Sequence, residues 1–137
     1  EVTSITIAGD EVVVWSRGGI YRRISLSDGE LLHQGTIGVE CDIEKVFNHE
    51  DIFLLSSKDG SVWEFKDEQI TVFRKLRGTI QDAVFDGEDW RIISWRDDVM
   101  LRGASQKRDD LGVQLIKRDE VWMVIDNQNK SSPHMGN

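Results

Sequence analysis

Residues 51–65, DIFLLSSKDGSVWEF, carry the pattern that most restricts this chain. Ile52 to Leu55 is an apolar run without a polar break. Lys58-Asp59-Gly60 is turn chemistry, and Val62-Trp63-Glu64-Phe65 alternates apolar with polar residues. Two strands around a tight turn follow from that order. The pattern recurs along the chain. Apolar runs begin at Val12, Ile52, Trp90 and Val121, spaced by 40, 38 and 31 residues, and the fifth residue is serine in three of them (Ser16, Ser56, Ser94). A period near forty with four short strands per unit is the signature of radial or solenoid β-architectures.

Each unit reads as a meander. In the first, Val2 to Ile7 alternates, Val12 to Trp15 is the apolar run, Arg17-Gly18-Gly19 turns the chain, Ile20 to Leu26 returns it, and Asp28-Gly29 makes a second hairpin. The units lie near 2–40, 41–78, 79–110 and 111–130, so residues 1–130 form one repeat domain, and 131–137 is expected to be a flexible tail or a remnant of expression. Ser105 to Asp110 is polar throughout and fits a loop or a degenerate edge strand. A run apolar on both faces must be covered on both faces. This places the apolar runs between neighbouring sheets and alternating strands such as Val62 to Phe65 further out. No helical periodicity is present. Trp15, Trp63, Trp90, Trp95 and Trp122 fall on or at the ends of predicted strands, where large rings fill space between stacked sheets.

The formal net charge of −8 argues against nucleic acid or an anionic membrane as partner, since both need clustered positive charge. No apolar stretch approaches the ~20 residues of a membrane-spanning helix. Cys41 is the single cysteine, which excludes an internal disulfide framework and a cysteine-based zinc site and favours a reducing, cytoplasmic setting. Glu40, Asp42 and Glu44 around it raise the thiol pKa, the wrong direction for a nucleophile. The start at Glu1 reads as a processed chain or a fragment of a longer one.

With Ser57-Lys58-Asp59-Gly60-Ser61-Val62-Trp63 as a blade hairpin and the repeat period above, the chain resembles β-propeller repeat proteins of the broad WD40 and quinoprotein-like type, over roughly Val2 to Ile125. It departs from them in having no Gly-His pair and no Trp-Asp dipeptide at blade ends, so the resemblance transfers no functional residue. What it implies is an all-β fold: a partial β-propeller of about three and a half four-stranded antiparallel blades. A β-sandwich or barrel is the alternative. An arc of blades leaves exposed sheet edges, so the expected partner is another protein chain or a second copy closing them.

No catalytic or cofactor signature stands out. His33, His49 and His134 lie in three unrelated contexts and read as surface residues. Asp97-Asp98, Asp109-Asp110 and the acids around Asp86 match no calcium-loop spacing and read as turn formers. Ser16, Ser56 and Ser94 lack a G-x-S-x-G setting and mark a strand-end position. Binding on such a fold uses the turns that follow the apolar runs. These turns supply Arg17, Lys58, Asp59, Trp95, Arg96 and Asp97, with Trp95 the odd member because Ser16 and Ser56 are followed by small or turn-like positions. The leading expectation is a non-enzymatic protein–protein interaction module. Carbohydrate recognition, as in propeller lectins, and a fragment of a propeller enzyme are the alternatives.

Overall fold

The computed structural model describes residues 1–135 and is all-β. Among the described residues, fifteen strands form four antiparallel sheets. The first sheet is β1 (Val2–Ala8), β2 (Glu11–Ser16), β3 (Ile20–Ser25) and β4 (Leu31–Thr36). The second is β5 (Ile43–His49), β6 (Ile52–Ser57), β7 (Ser61–Lys66) and β8 (Gln69–Lys75). β9 (Asp82–Phe85), β10 (Trp90–Ser94), β11 (Asp97–Met100) and β12 (Ser105–Lys107) make the third, and β13 (Gly112–Arg118), β14 (Val121–Asp126) and β15 (Ser131–Pro133) the fourth. Every sheet is a simple meander in chain order. The first strands of successive sheets, β1, β5, β9 and β13, lie beside one another. The outermost strands β4 and β12 are exposed along nearly their whole length. The sheets therefore fan around one axis as the blades of a partial propeller.

Local chemistry sets the hairpins. Asp67 and Glu68 both have positive φ (53° and 62°), as do Asp119 and Glu120 (50° and 65°). Two left-handed residues in a two-residue turn match the twist of the flanking strands. Gly60 (φ 92°) cannot be replaced: a Cβ there would lie 2.4 Å from the Leu76 carbonyl oxygen, and its own carbonyl accepts the Leu76 N–H at 2.8 Å. Two of the three repeated serines fasten strand ends through their hydroxyls. Ser56 Oγ donates to the Lys45 carbonyl (3.2 Å) and Ser94 Oγ to the Gly78 carbonyl (3.0 Å).

Three sheet-to-sheet layers hold the core. Between the first two sheets, Trp15 packs on Tyr21, Phe53 and Phe65, with ring centroids 4.9–5.9 Å away, and its Nε1–H donates to Thr6 Oγ1 at 3.0 Å. Arg23 crosses the same layer to Asp51 (2.9 Å) and Glu68 (2.7 Å). Burial, and then the Glu68 carboxylate, push the Tyr21 hydroxyl up to about 12. Leu54, Val62, Ile80, Trp90, Ile92 and Val99 fill the second layer. The third is thinner: Ile93, Leu115 and Val124. Gly112 permits that approach, since a Cβ there would meet Ile93 at 2.6 Å and Val124 at 2.8 Å.

The apolar runs are the second strand of each sheet, as the meander order in the sequence implies. Two features differ from the sequence expectations. β7 lies outside β6 as expected, but it is buried from Ser61 to Phe65 where an alternating strand was expected to face solvent; its one charged buried residue, Glu64, is paired with Arg102 of the β11–β12 turn. Residues 131–135, expected as a tail, belong to the fold: β15 pairs with β14 and His134 is buried. The segment has no apolar run to announce it; pairing to β14 and the His134 contacts hold it. His134 Nε2–H donates to the Ile92 carbonyl (3.0 Å), leaving Nδ1 to accept from Arg91 Nη1 (3.3 Å). Burial pulls the His134 pKa below its ordinary value. Gly136 and Asn137 lie outside the described residues. The polar stretch from Ser105 contributes edge strand β12.

Candidate functional site

The turns between the second and third strands of each sheet fall on one rim of the arc, interleaved with the connectors between sheets. The Arg17 carbonyl accepts the Ile43 N–H (2.8 Å), the Lys58 carbonyl accepts the Thr79 hydroxyl (2.9 Å), and the Arg96 carbonyl accepts the Arg108 N–H (2.6 Å). All six sequence-nominated residues therefore share the rim, but they do not form one pocket.

Arg17 reaches Glu1 (3.3 Å) and stands apart. Asp59 is a turn former. The Ser57 hydroxyl and the Ser61 N–H (2.9 Å) donate to it and Lys75 pairs with it at 2.9 Å. These donors hold its carboxyl well below the usual range. Lys58 and Asp59 line a cleft of about 230 Å³ with Cys41 and Trp63. Burial, followed by Asp42, pushes the Cys41 thiol up, which keeps it protonated and unreactive. Asp97 takes a fork from Arg77, Nε to Oδ2 at 3.1 Å and Nη2 to Oδ1 at 2.9 Å.

The Trp95–Arg96 turn is different. Trp95 is 51% exposed, and Arg96, with φ 55°, carries its guanidinium 5.9 Å from the Trp95 ring centre. Gly78 makes room for this turn, since a Cβ there would lie 2.9 Å from Trp95 Cβ. The two residues line a cleft of about 640 Å³ with Arg77, Lys107, Arg108 and Asp109. Arg108 is consumed by Asp98 and Asp110, both at 3.3 Å, and by Ser132. Arg77 is consumed by Asp97. Among the described residues neither Lys107 nor the Arg96 guanidinium has an ion-pair partner, and the Arg96 guanidinium lies by the Trp95 ring. The cleft thus presents an open aromatic face with the cations Arg96 and Lys107 beside it and one carboxylate, Asp109, on its lining.

Sequence reasoning missed Arg77 and Lys107 because they lie on a connector and on an outer strand. The short basic runs Arg74-Lys75 with Arg77, and Lys107-Arg108, were the available signal. Among the described residues, no group of three or more His, Cys, Asp or Glu is placed to hold a metal ion.

No protein-family model matches the chain, and no curated protein matches it. Solved structures share the fold. The chain is similar to the computationally designed Ika4 protein at TM-score 0.71 and 14% identity, over 96% of this chain and 89% of that one. It is similar to the computationally designed Ika8 protein at TM-score 0.70 and 15% identity, covering 95% of this chain and 44% of that one. It is also similar to the WD40 β-propeller domain of Doa1 at TM-score 0.70 and 12% identity, covering 99% of this chain and 52% of that one. The chain spans about half the length of the last two. These likenesses and the four fanned meanders make the fold a partial β-propeller with WD40-like blades.

Proposed function

We propose that this chain is a non-catalytic protein-interaction module that takes an acidic segment of a partner protein on the Trp95 rim. The observation that carries the reading is the exposed Trp95 ring stacked by Arg96 beside the unneutralised Lys107. An aromatic anchor with flanking cations supplies apolar area and charge complementarity together, the combination that dominates interface energies. Arg17, Lys58, Asp59 and Asp97 serve the same rim as turn formers and peripheral contacts.

Alanine at Trp95 is expected to weaken capture of Asp/Glu-rich peptides by about 2 kcal/mol, or roughly thirtyfold. Arg96→Ala and Lys107→Ala should have smaller effects that shrink with added salt. Fluorescence anisotropy against an acidic peptide library measures the binding, and thermal melts check that stability is unchanged. A fall in melting temperature with binding intact would show Trp95 to be a packing residue and reject the assignment.

A further inference from the structure

Among the described residues, the first and last sheets each leave one apolar face without a packed sheet against it. On the first sheet, Ile5 pairs with Val14 and Ile7 with Val12, which in turn pairs with Ile24, placing five aliphatic side chains on one face. Ile5 is 64% exposed and Ile7 61%. On the last sheet, Ile116 pairs with Met123, and Val121 and Ile125 share that face by alternation.

The two faces are complementary by position. Along each second strand, alternate residues serve opposite neighbours. Phe53 and Leu55 pack toward the preceding sheet, as do Trp90 with Ile92, and Val124. Val13 with Trp15, Leu54 and Ile93 pack toward the following one. Val12 and Val14 occupy the preceding-facing positions of the first sheet, and no sheet among the described residues packs there. Val121, Met123 and Ile125 occupy the following-facing positions of the last sheet, and no sheet among the described residues packs there. The uncovered faces are therefore the two halves of the contact that the chain already makes three times.

We infer that a second copy of this chain covers both faces, the last sheet of each copy packing on the first sheet of the other, to close a two-chain ring of eight blades. The chain matches 52% of a WD40 β-propeller domain, so two lengths of it correspond to about one such ring. A head-to-tail contact that closes after two copies leaves no apolar sheet face exposed and does not polymerise. This inference uses surfaces separate from the Trp95 rim, so it stands or falls independently of the proposed function.

Native mass spectrometry of the 137-residue chain should give twice the 15.7-kDa mass. Ile5→Asp/Ile7→Asp on the first face, and Met123→Lys on the last, should each weaken association by at least about a hundredfold, because a charge would be buried without a partner. The two variants mixed should form a dimer containing one of each, through the single intact pair of faces. Ile5→Thr/Ile7→Thr repeats the first arm with β-branching retained, and circular dichroism verifies folding. A monomeric wild type, open polymers, a dimer insensitive to both sets of changes, or self-association of either aspartate or lysine variant alone would overturn the inference.

Discussion

Trp15→Ala is expected to destabilise the fold by about 4 kcal/mol, the middle of the range for emptying a buried large aromatic site. Trp15 is fully buried and is the ring that Tyr21, Phe53 and Phe65 all contact. These neighbours come from both sheets of the first layer, so the cavity lies where the two sheets meet and neither can relax into it alone. The Thr6 hydroxyl would also lose its indole donor. Against a total stability of about 5–15 kcal/mol, the loss should lower the melting temperature by roughly 12–20 °C. Thermal unfolding followed by circular dichroism measures it, with Trp95→Ala as the exposed control. A shift under about 3 °C would mean that the Trp15 cluster is not a packed core.

Arg102→Ala is the second large effect. Glu64 sits on buried β7, where Arg102 Nη1 reaches its Oε2 at 2.9 Å, Nη2 bonds Oε1, and the Thr71 hydroxyl donates at 2.7 Å. Arg102 also pairs with Asp89 at 3.1 Å. Removing one partner of a buried pair strands the other charge. Because the Arg102 side chain is itself 42% exposed, the low end of that range applies, about 3 kcal/mol at pH 7. The pH dependence has a definite sign. Burial, the strongest single influence on Glu64, raises its pKa, but hydrogen bonds from Arg102 and Thr71 and the Arg102 charge outweigh it and hold the carboxyl below its ordinary value. The pair's contribution is therefore present above the unfolded value of about 4.3 and is lost as pH falls through the lower folded value. In the alanine variant burial acts unopposed by arginine. The stability difference between the two proteins should be largest near neutrality and shrink below about pH 4. Urea titrations at a series of pH values test this. A difference independent of pH would place the cost in packing and not in the ion pair.

These two sites mark what was legible in the sequence. The hairpins and the meander order follow from residues within a few positions of one another, so the repeat pattern exposes them; the serines were legible as strand-end positions, but their acceptors lie 11 and 16 residues away. Trp15 was legible as a strand residue filling the space between sheets. The ion pairs were not legible: Arg23 and Glu68 are 45 residues apart and Glu64 and Arg102 are 38 apart. An isolated Glu64 in an alternating strand reads as solvent-facing. Ser131–Pro133 was missed for the related reason that its place depends on pairing to β14 and not on its own composition. At the rim, the repeat offset placed Trp95 and Arg96 on the turn after an apolar run, whereas Arg77 reaches the cleft from the connector between the second and third sheets and Lys107 from the end of edge strand β12.

The arrangement as an arc with an apolar first face is tested most directly by thiol reactivity at position 7. In a Cys41→Ser background, cysteine is placed at Ile7 or at fully buried Val13, and labelling rates are followed over a range of protein concentrations. The thiol at 13 should be protected throughout. The thiol at 7 should react like a free thiol at high dilution and become protected as concentration rises and a second copy covers the face. Protection at position 7 that is already complete at high dilution would contradict the account, because the first face would then be covered within one chain, as in a sandwich or a closed barrel.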